Sequence, residues 1–414
     1  MKNTRLVISL QLILLFVFCN AHAIERRKEQ FLTESSYLIF PLPYSLEGIG
    51  DGIVITGLAG NIAETNIDAY VLGITGAARG TMTNISDIHL LPKRLILEVQ
   101  KMDIERVTVN NYEKRGMNTR RNDYKILELD KVVNDYARLT LSLFERRLEL
   151  FGEYERQLVR VTKVRDNEGD IISNMENDPY KGDTKKTSLG IVVDYTDDRQ
   201  DPRKGIRLEL SRSDSPRQER QDADFYVINQ GMSLYYPIAK QGTLALNYFA
   251  SSADVTDKGD TNPANIRNEL TMNCAPADTE CLTAEQELVD IFIAQRSYGT
   301  ATPLGGENRL RAYSRERYNG AHSLYYAAEL RWNFSQGVKP FNFWIWKDIA
   351  TGIQVALFHE WGTVAEHRSD LGDTWRSSYG LGFRLVSASG YVYRADLANG
   401  REGEAVTVIF EYPW

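Results

Sequence analysis

Hydrophobic and polar side chains alternate along most of this chain with a period of two, the spacing that sets successive residues of an extended strand on opposite faces. In residues 406–414, Val406, Val408, Phe410, Tyr412 and Trp414 share one side, and Thr407, Ile409, Glu411 and Pro413 share the other. Before them Tyr379, Leu381, Phe383 and Leu385 alternate with Gly380, Gly382 and Arg384. From Leu324 to Phe334 the apolar set is Leu324, Tyr326, Ala328, Leu330, Trp332 and Phe334. Its complement is Tyr325, Ala327, Glu329, Arg331 and Asn333. A face of apolar residues backed by small, polar or charged ones is what a wall between hydrocarbon and a wet lumen requires.

Segments of the same kind are read at 50–59, 67–77, 94–110, 123–131, 138–146, 148–163, 187–198, 205–213, 225–238, 243–253, 287–298, 352–364 and 391–400. With the three above they number about sixteen, and an even number lets an antiparallel sheet close without an edge. The predicted fold class is therefore all-β, a transmembrane antiparallel β-barrel. The connections alternate between the tight turn 199–205 and long polar stretches at 165–186, 254–286 and 299–321, as the two ends of a barrel would. A soluble β-sandwich is the rival, and the uniformly apolar outer face counts against it. No repeat or linker divides the chain, so 48–414 reads as one barrel domain preceded by a short segment, 24–47.

Composition changes this picture little. A mean hydropathy of -0.37 suits a barrel, in which only alternate side chains meet lipid. The 22 Tyr and 6 Trp suit aromatic girdles at the two interfaces. A net charge of -7 gives no hint of a nucleic-acid partner, which would favour basic patches, and none is expected. Residues 1–23 have the three parts of a secretory signal peptide: Lys2 and Arg5, the apolar run Leu6 to Phe18, then Ala21-His22-Ala23. The run is well short of the ~20 residues a spanning helix needs. Phe18 is too bulky to precede a lipidated Cys19.

The remaining cysteines, Cys274 and Cys281, lie in one polar stretch. In an oxidising compartment they read as a loop disulfide, since a metal site would want further His or Cys nearby. No catalytic, cofactor or metal site is read, and the chain is not expected to be an enzyme. It has no Gly-x-Ser-x-Gly nucleophile elbow. His322 and Ser323 are neighbours on a strand and so face opposite ways. His359-Glu360 begins a zinc-protease motif, but position 363 is Thr.

Three stretches resemble the bacterial surface-antigen barrel superfamily, which includes the outer-membrane protein insertases and two-partner secretion translocators. Leu189-Gly190-Ile191, Asp194 and the turn Asp201-Pro202-Arg203-Lys204-Gly205 resemble its opening strand and hairpin. Leu304 to Gly320, with Gly305, Gly306, Leu310, Arg311, Ala312 and Tyr313, resembles its signature loop. Phe358-His359-Glu360-Trp361-Gly362 is similar to its Phe-x-Asp-x-Gly motif. The resemblance is strongest over about 187–414 and implies a loop folded into the lumen, with Arg311 meeting Glu360 and Glu329. Parity agrees, since Phe358, Glu360 and Gly362 share a side with Gln354 and Ala356. In a wet lumen such a pair is expected to be partly screened. Ala312 stands where the family has glycine. About twenty-five residues between Ala23 and the first strand leave no room for a receptor domain, which resembles the barrel-only branch.

The resemblance implies an outer-membrane location, contact with outer-membrane lipid, and passage through the barrel-assembly machinery, for which the terminal aromatics Phe410, Tyr412 and Trp414 resemble the client signal. It implies transport or insertion of protein or lipid substrates, with a lateral seam where Gly52 to Gly57 would face Val406 to Trp414. Pro413 would fray that closing strand. The alternatives are a membrane-embedded subunit serving a periplasmic or outer-membrane protein partner, and a passive pore.

Overall fold

The computed structural model describes residues 35–270, 272, 274–334, 341–343, 346–349, 351–387, 392–410 and 412–414. The proposed signal peptide lies outside them. Sixteen strands form one antiparallel barrel. In chain order they are β1 (Ser36–Leu46), β2 (Gly50–Gly60), β3 (Asp68–Gly76), β4 (Arg79–Leu91), β5 (Leu95–Asn111), β6 (Lys125–Leu143), β7 (Leu148–Arg165) and β8 (Tyr180–Thr196). The second half is β9 (Gly205–Ser215), β10 (Asp224–Pro237), β11 (Gly242–Asp257), β12 (His322–Asn333), β13 (Thr351–Ala365), β14 (Arg376–Ser387), β15 (Val392–Gly400) and β16 (Gly403–Phe410). Each pairs with its neighbours in sequence, and β1 meets β16 at Ser45↔Val408.

The alternation is realised as predicted on the strands that carry it most clearly. On β12, Trp332 is 39% exposed while Tyr325, Glu329 and Arg331 are buried; on β13, Leu357 is 55% exposed while Gln354, Ala356, Phe358 and Glu360 are buried. Exposed Leu381, Leu397 and Val406 continue the apolar outer surface. With hydrocarbon outside, the ladders between consecutive strands keep wall amides paired within the sheet.

The predicted number of strands holds, but not each strand. Residues 123–131 and 138–146 are parts of the single strand β6, and 287–298 belongs to a helix. Two strands were not read: β4, and β1 within the segment 24–47. On β1 the prolines at 41 and 43 hide the strand, since proline is expected only at sheet edges. On β4 a register shift between Ile85 and Ile88 breaks the alternation. The helix is α2 (Thr279–Tyr298), preceded by α1 (Pro263–Leu270) in the long β11–β12 connection. Asp278 caps α2 by accepting from the Cys281 N–H at 3.0 Å. Cys274 and Cys281 are joined, with Cα atoms 5.5 Å apart, and so brace the entry to that helix.

The seam also differs from expectation. Gly52 to Gly57 lie on β2 and pair with β1, so the strand facing β16 is β1. β1 pairs with β2 over its whole length, from Ser36↔Gly60 to Leu46↔Gly50. Among the described residues its ladder with β16 is the single pair Ser45↔Val408. Pro41 and Pro43 carry no N–H, and the unbroken register with β2 turns both missing donors away from β2; the Ser45↔Val408 register sets Pro43 opposite Phe410, the last residue of β16. Near its start β1 pairs instead with the short strand Trp346–Ile349, at Tyr37↔Lys347.

Candidate functional site

The β11–β12 connection returns from α2 and sends residues 304–320 into the lumen. Backbone bonds Leu304 N–H to Tyr318 O (3.0 Å) and Tyr318 N–H to Leu304 O (2.9 Å) close its base, and Gly306 N–H to Tyr313 O (2.9 Å) tightens its tip. Gly305 has φ +112°, and a Cβ there would lie 2.3 Å from the Ser314 carbonyl oxygen. The first residue of the glycine pair is thus required by both backbone and space. Leu304, Leu310, Tyr313 and Tyr318 pack in one cluster with Phe249, Tyr325 and Phe358 of the wall. Gly362 makes this possible, because a Cβ there would meet Leu304 Cδ1 at 2.7 Å and Leu310 Cδ1 at 2.9 Å. Ala312 is accommodated from the opposite side: a Cβ at Gly400 would lie 2.9 Å from the Ala312 methyl. The glycine that the resemblance places in the loop has its counterpart in the wall.

This packing delivers Arg311 to the barrel's interior with no exposure. Its Nε donates to Glu360 Oε1 at 2.9 Å and its backbone N–H to Glu360 Oε2 at 2.8 Å. One terminal nitrogen donates to Asp396 Oδ2 at 2.9 Å, the other to Glu329 Oε2 at 3.3 Å. The guanidinium lies over the Phe358 ring, 3.4 Å from its centroid. Phe358 can lie there because its β14 partner is Gly380, where a Cβ would be 2.6 Å from Phe358 Cζ. Glu360 also accepts from Tyr325 Oη (2.7 Å) and from Ser378 Oγ. Burial works against the charge on Arg311, and Glu360, Asp396 and Glu329 outweigh it, holding its pKa above the ordinary arginine range.

Arg311 therefore meets the two predicted acceptors and a third, Asp396, that was not predicted. The expectation of a screened pair is corrected, since all four side chains are buried, and the relevant comparison is with buried ion pairs. Three more arginines complete the group. Arg384 forks to Glu329 at 2.7 and 2.6 Å, Arg331 donates to Glu329 at 2.7 Å, and Arg394 donates to Asp396 at 2.7 Å. All three stand at inward positions of their strands, a signal that parity already held. Replacing Glu329 with Gln should remove a carboxylate that three arginines share. The expected cost is about 3 kcal/mol or more of barrel stability, read as a lower denaturant midpoint for the heat-modifiable folded band. An unchanged midpoint would show that the arginines find other acceptors.

Above the loop, residues 112–124 cross the barrel's end. Arg115 forks to Glu366 at 2.5 and 2.8 Å, and Arg317 binds Glu402 at 2.7 Å and Thr119 Oγ1 at 2.6 Å. At the other end the placement of the aromatic sequence 410–414 is corrected. β16 stops at Phe410, whose side chain lies outside the described residues, and Tyr412 and Trp414 turn into the lumen. Tyr412 Oη donates to Asp201 Oδ1 at 2.8 Å, within the turn 201–205 that the resemblance singled out. Strand parity does not carry past the end of a strand.

No protein-family model matches the chain, and no curated protein matches it in sequence. Among solved structures it is similar to CdiB from Escherichia coli, with 11% identity and a TM-score of 0.50, covering 91% of this chain and 61% of that one. CdiB from Acinetobacter baumannii matches at 11% identity and TM-score 0.48, covering 92% and 60%. BamA from Haemophilus ducreyi lacking POTRA domains 1-3 matches at 11% identity and TM-score 0.47, covering 91% and 69%. The chain thus spans about three fifths of the CdiB chains. At this identity the likeness concerns architecture alone, and this chain has the barrel fold of CdiB from Escherichia coli.

Proposed function

We propose that this barrel belongs to the surface-antigen superfamily and moves or inserts protein or lipid substrates at the outer membrane, past a lumen held shut by residues 304–320. The observation that supports this best is Arg311 seated on Glu360 and Glu329, the pairing that the loop resemblance implies. The fold of CdiB and the thinly paired, proline-bearing seam between β1 and β16 point the same way. The long connections at the loop's end of the barrel face outward in this reading, and the short turns face the periplasm. Secretion under the 1–23 signal and delivery by the barrel-assembly machinery complete it.

Deleting the gene and profiling outer-membrane proteins and lipids tests the reading. Selective loss of a set of outer-membrane proteins, or a changed lipid composition, is expected, and an unchanged envelope would end it. A passive pore is the second reading. It is favoured by the half-buried, inward Glu98, Arg138 and Glu153 on the wall away from the loop. A pore would conduct steadily in planar bilayers, whereas the plugged barrel would be mostly closed.

A further inference from the structure

We propose that the lumen carries a recognition site for an aromatic pair on an extended chain, occupied here in cis by Tyr412 and Trp414. Five wall elements build it: Asp201 from the β8–β9 turn, Tyr235 from β10, Arg331 from β12, Gln354 from β13 and Arg384 from β14. The Tyr412 ring lies 4.6 Å from the Arg331 guanidinium and 5.0 Å from that of Arg384, and the Trp414 ring lies 5.1 Å from Arg331. Aromatic faces attract guanidinium groups most where water is excluded. The Tyr412 hydroxyl adds direction, through Asp201 Oδ1 at 2.8 Å.

Two observations make this a site and not incidental packing. Had β16 continued, Tyr412 and Trp414 would share the lipid side with Val406; the chain leaves that path to reach the arginines. Arg331 is buried, and among the described residues its two terminal nitrogens have no hydrogen-bond partner. What faces them is the rings of Tyr235, Tyr412 and Trp414. Without residues 412 and 414 that charge would keep, among the described residues, the Tyr235 ring and the Glu329 carboxylate, so a replacement ring has a place to bind. The ligand class is an extended peptide with aromatic residues two apart, the nearer bearing a hydroxyl.

The site exists whether or not the barrel carries a substrate, so its test needs no transport assay. The probe is a fluorescein-labelled peptide, Ile-Phe-Glu-Tyr-Pro-Trp, titrated against full-length protein in detergent, with folding checked by heat-modifiable migration. Y412A/W414A should bind it on the order of tenfold tighter than the unsubstituted protein, and a peptide with Ala at the Tyr and Trp positions should not bind. Equal binding by both proteins, or equal binding of both peptides, would overturn the proposal. If the double variant does not fold, Y412F keeps the ring and loses the Asp201 bond. It should then bind the peptide measurably tighter than the unsubstituted protein, and no gain would likewise overturn the site.

Discussion

Arg311→Ala is expected to cost the barrel about 3–5 kcal/mol, because it leaves buried carboxylates without their shared cation. Of its four bonds Glu360 loses the one from Arg311 Nε, and keeps the hydroxyls of Tyr325 and Ser378 and the backbone N–H of residue 311. Its backbone bond to residue 311 requires the loop to stay in place, and the loop loses its central attachment. Glu329 and Asp396 are better protected, since Arg384, Arg331 and Arg394 remain beside them. The damage should therefore centre on Glu360. The measurement is the denaturant midpoint of the folded band, with single-channel recording beside it. The variant should unfold earlier and open more often. Arg311→Lys should fall between, because one ammonium cannot reach three carboxylates arrayed around a planar fork. If both variants match the unsubstituted protein in midpoint and conductance, the loop is not held by this residue.

Fixing the seam is expected to abolish function without disturbing the lumen. Ser45 and Val408 are direct partners in an antiparallel pair, where Cα atoms lie about 4.5–5.5 Å apart, within the range a disulfide accepts. S45C/V408C, built with Cys274 and Cys281 changed to Ser, should cross-link β1 to β16 under oxidation. If substrates leave through the seam, the oxidised barrel should fail to restore the envelope profile of a deletion strain, and reductant should restore it. The conductance of the purified barrel should be the same in both states. A cross-linked protein that complements fully would show that the seam stays shut during its work.

Much of this was legible in the chain, and what was not has physical causes. Side-chain alternation located the wall wherever one face is uniformly apolar, as on β12 and β13, and parity placed Glu329 and Glu360 inside. It failed where local chemistry masks the period: at the prolines of β1, and at the irregular residues 86–87 of β4. It also failed at 287–298, where short apolar runs suit a strand or a helix equally and the Asp278 cap settles the matter. Two strands missed, one strand divided in two and one helix misread left the total unchanged. Arg331, Arg384, Arg394 and Asp396 also lie at inward positions, but charge facing a watery lumen is unremarkable. Their burial comes from a loop packed against them from far along the sequence, and no local pattern records that.

The missing donor of Pro43 bears on how firmly this wall is closed. Withdrawing the loop means returning buried carboxylates and a guanidinium to water together, a change with no easy partial state. Between β1 and β16 the described ladder is one pair, Ser45↔Val408, and the next position toward the end of β16 has Pro43, without an amide donor. If substrates leave sideways, as proposed, the barrier at this seam is the smaller of the two, and an imino acid in the wall lowers it.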